Sequence, residues 1–200
     1  MNVQEATTRR LPDLKERHLP ENCRETINTI LKETYGYEQF RNLEIYDDLS
    51  KGKEKLCISQ GQLIENVILE AEKAWKGETQ VDNILLTAPT GSGKSLLFQL
   101  PAIYLGKEYN LLTIVVSPLK ALIVDQVESL QELGYTRVAY ASSDLSPEQK
   151  MEVYRQVREG EIDLFYLSPE LLLSYDIKHF VGERRIGLVV VDEAHTVTTW

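Results

Sequence analysis

Between Ala88 and Ser95 the chain reads Ala-Pro-Thr-Gly-Ser-Gly-Lys-Ser, so Thr90, Gly91, Ser92, Gly93, Lys94 and Ser95 have the spacing of a loop that wraps phosphates. Glycines let backbone N–H groups turn inward toward an anion, and a helix starting just afterwards adds partial positive charge. In such a loop Lys94 reaches the terminal phosphates and the Ser95 hydroxyl sits on Mg2+. Ala88 stands where the usual pattern has its first glycine. Far downstream, Asp192-Glu-Ala-His195 follows the apolar run Leu188–Val191. Four consecutive apolar residues predict a strand buried on both faces, and the carboxyl end of such a strand is where α/β sheets bind ligands. Asp192 is expected to hold Mg2+, through water. Glu193 is expected to orient and deprotonate an attacking water, and His195 to couple the site to other segments.

These residues need a scaffold, and the pattern around them alternates. Strands are predicted at 83–88, 111–117, 137–141, 163–167 and 187–192, with helices near 94–105, 119–133, 147–158 and 169–174. Ser146-Pro147-Glu148-Gln149 has capping-box spacing with Pro at the first helical position. Strands alternating with helices imply an α/β fold, a parallel sheet flanked by helices on both faces. Upstream, residues 21–35 form a predicted helix stopped by Gly36. A second is predicted over 60–76, where Ser59 and Gln62 have capping-box spacing. Residues 42–56 mix charge with few apolar anchors and read as a loop or weak helix. Residues 1–20, interrupted by Pro12 and Pro20, read as a loose lead-in. The chain thus divides into a helical extension, 1–56, and a nucleotide-binding lobe, 57–200.

Two hundred residues are room for one domain with a small appendage. The formal net charge of −9 argues against a generally sticky nucleic-acid binder, yet allows a strand held by backbone amides and a few local cations. No apolar stretch is long enough to span a bilayer, and the N-terminus carries no signal-peptide pattern. The two cysteines, Cys23 and Cys57, have no metal-ligand spacing. They are expected to be buried structural thiols in a reducing compartment.

The phosphate loop with Asp-Glu-Ala-His resembles superfamily 2 helicases, whose motor lobes are P-loop NTPases of the RecA-like kind. The neighbouring text is similar to RecQ-type DNA helicases: Leu96-Leu-Phe-Gln-Leu-Pro-Ala102, Val115-Val-Ser-Pro-Leu-Lys-Ala-Leu-Ile-Val-Asp-Gln-Val127, Tyr166-Leu-Ser-Pro-Glu170, and Trp200 five residues after His195. The resemblance implies an ATP-dependent motor using ATP and Mg2+. Its DNA would be touched through Ser117, Pro118, Lys120, Ser168 and Pro169, with Trp200 stacking on bases. On residue spacing, Asp125 and Gln126 could simply face solvent. Tyr35-Gly-Tyr-Glu-Gln-Phe40-Arg41 resembles the element preceding the adenine-reading Gln, a residue whose amide can pair with both N6 and N7. In the family that Gln lies three residues after the Arg; here Glu44 occupies the place, and Gln appears only at 60 or 62. Gly61-Gln62 fits the local pattern better, which puts an insertion between Arg41 and Gln62. The Asp-Glu-Ala-His tail departs too, reading Thr196-Val-Thr-Thr199 where the family has Cys-Ile-Ser-Gln.

The family also implies what must complete the motor. Its RecA-like lobe needs another strand beyond residue 200, and a second lobe supplies an arginine to the γ-phosphate. The expected partners are therefore single-stranded or tailed duplex DNA and a second RecA-like lobe, with no membrane. The expected place is intracellular: cytoplasmic in a bacterium, nuclear in a eukaryote. The alternatives are a DEAH ATPase that remodels nucleic acid within a nuclease or defence complex without unwinding it, and a truncated nucleotide-binding module.

Overall fold

The structure, a computed structural model, describes residues 17–46, 55–86 and 91–194. The chain forms two compact units, Met1–Pro101 and Ala102–Trp200.

In the first unit, helix α1 (Glu21–Tyr35) buries Ile27, Ile30 and Leu31 and ends at Gly36. Of residues 42–56, read from sequence as loop or weak helix, 47–54 lie outside the described residues, and the rest instead belong to two antiparallel strands, β1 (Asn42–Tyr46) and β2 (Lys55–Ser59). Leu43 with Ile58 and Ile45 with Leu56 are register partners, but an alternation this short, set among charged residues, is too sparse a pattern to announce strands. Position 56, where the sequence reading divides the chain, falls inside β2. Helix α2 (Gln60–Trp75) follows at once, capped by Ser59, whose hydroxyl accepts from the Gly61 N–H. Residues 83–86, predicted as strand, have no regular structure, and Leu85 is 83% exposed. A strand exists only with a partner, and the described strands of this unit are already paired with each other.

Helix α3 (Leu96–Tyr109) opens just after the phosphate loop and runs across the division between the units. The second unit carries the sheet: β3 (Leu112–Val116), β4 (Val138–Ala141), β5 (Leu164–Leu167) and β6 (Ile186–Val191). Its order is β4-β5-β3-β6, and every pairing is parallel, as alternation of strands and helices requires. Helix α4 (Lys120–Glu132) follows β3, and α5 (Pro147–Glu159) follows β4 behind the expected Ser146–Gln149 capping box. The short α6 (Pro169–Ser174) and α7 (Ile177–Val181) connect β5 to β6.

Alternation along the strands sends their side chains to two faces. Leu112, Ile114, Val116, Phe165 and Leu167 pack with Tyr154 and Val157 of α5 and Phe180 and Val181 of α7. Tyr166 faces the other way, toward α4. The central strands β3 and β5 are buried throughout. The expectation of a doubly buried run at Leu188–Val191 does not hold. β6 lies at the edge of the described sheet, and Val189 and Val191 are 58% and 44% exposed on the face where α5 and α7 cover β3 and β5.

The buried thiols expected from sequence are corrected likewise. Cys23 is half-buried and Cys57 is exposed on β2, a two-stranded sheet having too little substance to bury both its faces. No helix among the described residues is long and apolar enough to cross a membrane.

Candidate functional site

In the first unit the phosphate loop is described from Gly91 onward; Thr90 lies outside the described residues. Gly91 and Gly93 both have φ +80, the left-handed conformation that turns successive N–H groups to one side. Leu97 donates to the Lys94 carbonyl at 3.0 Å and Gln99 to the Ser95 carbonyl at 2.9 Å, so the helix begins at the loop's last two residues. The Ser92 hydroxyl is buried without a hydrogen-bond partner among the described residues. A polar atom in that condition, beside two left-handed glycines and the N-terminus of a 14-residue helix, fits a polyphosphate.

The paired strands deliver a second group to the loop. The Gln60 N–H donates to the Arg41 carbonyl at 2.9 Å, one step beyond the last β1–β2 pair. The Gln60 side chain, 2% exposed, accepts from the Arg41 N–H at 3.2 Å. Its amide nitrogen donates to the carbonyls of Ser92 and Gly93 at 3.4 and 3.5 Å. Glycine is favoured at 93 by φ, and a Cβ there would stand 2.7 Å from that nitrogen, so the Gln60 amide would have to shift. A Cβ on Gly61 would meet the Phe40 ring at 2.6 Å, so the Phe-Arg element also seats the start of α2. The amide on the phosphate loop is thus that of Gln60. Gln62, the residue favoured from sequence, is half-buried on α2, and its carbonyl accepts from Asn66. The Arg41 guanidinium lies 5.8 Å from the centre of the Tyr37 ring, which stacks in turn with Tyr35. The Tyr35 hydroxyl meets the Gln99 amide oxygen at 3.4 Å.

In the second unit Asp192 and Glu193 stand at the carboxyl end of β6, where the sequence places them. The Asp192 N–H donates to the Val116 carbonyl at 2.9 Å, and the Asp192 carboxylate accepts the Glu193 N–H at 2.9 Å. Glu193 has φ +50, in the left-handed region that glycine adopts readily and a residue with a Cβ rarely does. Gln126, expected from spacing to face solvent, is buried at 8% exposure on the sheet side of α4, while Asp125 is exposed. Its amide nitrogen lies 3.5 Å from the second Asp192 oxygen, and its amide oxygen accepts from the Tyr166 hydroxyl at 2.9 Å. In phosphate sites Mg2+ takes one or two carboxylates plus phosphate oxygens and water, and the half-buried Asp192 carboxylate suits that set. His195 and Trp200 lie outside the described residues.

The segments expected to touch DNA end neighbouring strands, with the Ser117 N–H donating to the Leu167 carbonyl at 3.1 Å. Ser117 and Ser168 are each 1% exposed, with hydroxyls unpartnered among the described residues, and Pro169 is buried too. Pro118 and Lys120 are reached by solvent. The Lys120 ammonium donates to the Ser143 hydroxyl at 2.5 Å and to Asp144 at 3.0 Å.

The DEAD/DEAH box helicase family matches residues 62–200 of the chain. Among similar proteins, ATP-dependent DNA helicase Q-like 5 of Arabidopsis thaliana is 34% identical over 177 residues, covering 88% of this chain and 16% of the relative. ATP-dependent DNA helicase RecQ of Synechocystis is 32% identical over 179 residues, covering 88% and 31%. The Bacillus subtilis protein of that name is 31% identical over 172 residues, covering 86% and 24%. The chain therefore spans less than a third of the length of these relatives. With its parallel sheet, phosphate loop and terminal acidic pair, the chain belongs to the DEAD/DEAH box helicase family and is RecQ-like within it.

Proposed function

We propose that this chain is the ATP-binding first lobe of a RecQ-type DNA helicase, coupling ATP hydrolysis to movement along single-stranded DNA and to duplex separation. The phosphate loop carries the reading: left-handed glycines, a buried Ser92 hydroxyl unpartnered among the described residues, and a helix opening at Ser95. On this reading the loop amides bind the phosphate chain and Lys94 reaches the terminal phosphates. Ser95 and Asp192 hold Mg2+, with Asp192 acting through water. Magnesium, when bound, neutralises phosphate charge and polarises the terminal phosphoryl group. Glu193 orients the attacking water and takes its proton.

For the base, Gln60 is the better candidate than Gln62, because its amide already touches the loop and the Arg41 backbone. On the DNA side, Lys120 and the backbone around Pro118 meet the strand. The buried Ser117, Ser168 and Pro169 shape the turns beneath it. A few local cations of this kind suffice for an acidic chain to hold one strand. A second RecA-like lobe supplies the arginine that completes hydrolysis. The protein works where DNA is, in the bacterial cytoplasm or the eukaryotic nucleus.

Titration of the chain with a fluorescent ATP analogue and Mg2+ tests the carrying observation. Lys94→Ala is expected to weaken binding about tenfold or more, the worth of a hydrogen bond to a charged group. Equal affinity in the variant would refute the assignment of the loop.

A further inference from the structure

The Gln126 side chain sits between two groups that constrain it from opposite ends. Its amide oxygen is 2.9 Å from the Tyr166 hydroxyl, and its amide nitrogen is 3.5 Å from an Asp192 oxygen. Tyr166 is fully buried on the central strand β5, and Gln126 is buried on α4. Neither has solvent to fall back on, so their polar atoms must be satisfied within the fold. A carboxylate only accepts hydrogen bonds, so the NH2 end of the amide must face Asp192. The carbonyl end then faces Tyr166, which has a proton to give. The opposite orientation would set the amide oxygen against the carboxylate, which only accepts, whereas the tyrosine hydroxyl can meet either end of the amide.

Asp192 leaves the edge strand β6 and precedes a residue in left-handed conformation. Its first oxygen is turned to the Glu193 N–H; the second is left to the Gln126 amide among the contacts described. The contact is long for a hydrogen bond, so it steers the carboxylate without sequestering it from a cation.

We propose that Gln126 is a positioning residue for the Asp192 carboxylate, fixed in its working orientation by the Tyr166 hydroxyl. The inference rests on the reading of Asp192 as the magnesium carboxylate. It adds that magnesium binding depends on a buried amide on α4 and a hydroxyl on β5.

The test is the affinity of the full 200-residue chain for a fluorescent ATP analogue, measured with Mg2+ and with EDTA. It is made on the wild type, Asp192→Asn, Gln126→Leu and Tyr166→Phe. Magnesium is expected to tighten binding in the wild type, and Asp192→Asn to abolish that tightening. Gln126→Leu is expected to reduce it by about threefold to tenfold, the worth of one hydrogen bond, with affinity in EDTA unchanged. Tyr166→Phe, which removes one oxygen and keeps the ring, is expected to act in the same direction and less. A purely structural role would lower both affinities together, and that result would overturn the proposal. Full magnesium tightening in both relay variants, with Asp192→Asn defective, would overturn it while leaving the Asp192 assignment intact. Full tightening in Asp192→Asn would overturn the assignment itself, and the relay with it.

Discussion

Glu193 is held at φ +50, where a residue with a Cβ is strained by roughly 1–2 kcal/mol. The strain persists because the ladder of β6 and the Asp192 carboxylate fix both sides of the peptide. Two variants isolate the backbone cost, because both remove the same carboxylate. Glu193→Gly is expected to be more stable to urea than Glu193→Ala by about 1 kcal/mol, reversing the usual order of the two residues. Equal stability, or a more stable alanine variant, would mean that the left-handed turn is not held in solution. The places of Lys94 and Ser95 at a helix start, and of Asp192 and Glu193 at a strand end, were legible in the sequence because each depends on one local segment. Gln60 was legible only as the alternative to Gln62, and the burial of Gln126 was not legible. The first is significant only because the β1–β2 pairing brings residue 60 beside residue 41, and the second because α4 lies over the Tyr166 face of the sheet.

At the scale of elements, the alternating half of the chain was readable, because helix and strand periods differ and caps mark their ends. Both upstream errors concern strands, whose existence depends on partners remote in sequence. The paired strands were read as loop because their short apolar alternation is set among charged residues, and residues 83–86 were read as strand on apolar content that finds no ladder. Helix α2 shows what ties the upstream elements together. Its Glu70 is 4% exposed and accepts from Arg17 at 2.5 Å, from Lys73 at 3.0 Å and from the Asp82 N–H at 2.9 Å. One carboxylate thus joins the lead-in, the helix and the segment running toward the phosphate loop. Burial pushes its pKa up, but the Asp82 N–H, Lys73 and Arg17 together outweigh burial and hold it below the ordinary carboxylate range. A depressed pKa in the folded state gives stability that is present above the unfolded-state value and lost as pH falls through the folded one. Glu70→Gln is expected to cost on the order of 2 kcal/mol at neutral pH. The gap from wild type should narrow as pH drops below the ordinary carboxylate range. Denaturant unfolding of both proteins across that range checks this, and a gap that stays constant or widens with acid would contradict it.

On the scale of the whole molecule, the phosphate loop and the acidic pair belong to different compact units, while the segments proposed to meet DNA share a unit with the acidic pair. On the proposed function, the net charge of −9 leaves strand binding to a few local cations such as Lys120. The central claim is that ATP hydrolysis here is driven by Lys94 and answers to DNA. Steady-state ATP hydrolysis by this chain, with and without a single-stranded oligonucleotide, tests it most directly, with Lys94→Ala as the control. The account predicts slow turnover that the oligonucleotide stimulates and that Lys94→Ala abolishes. Turnover indifferent to the strand, or undiminished in Lys94→Ala, would contradict it.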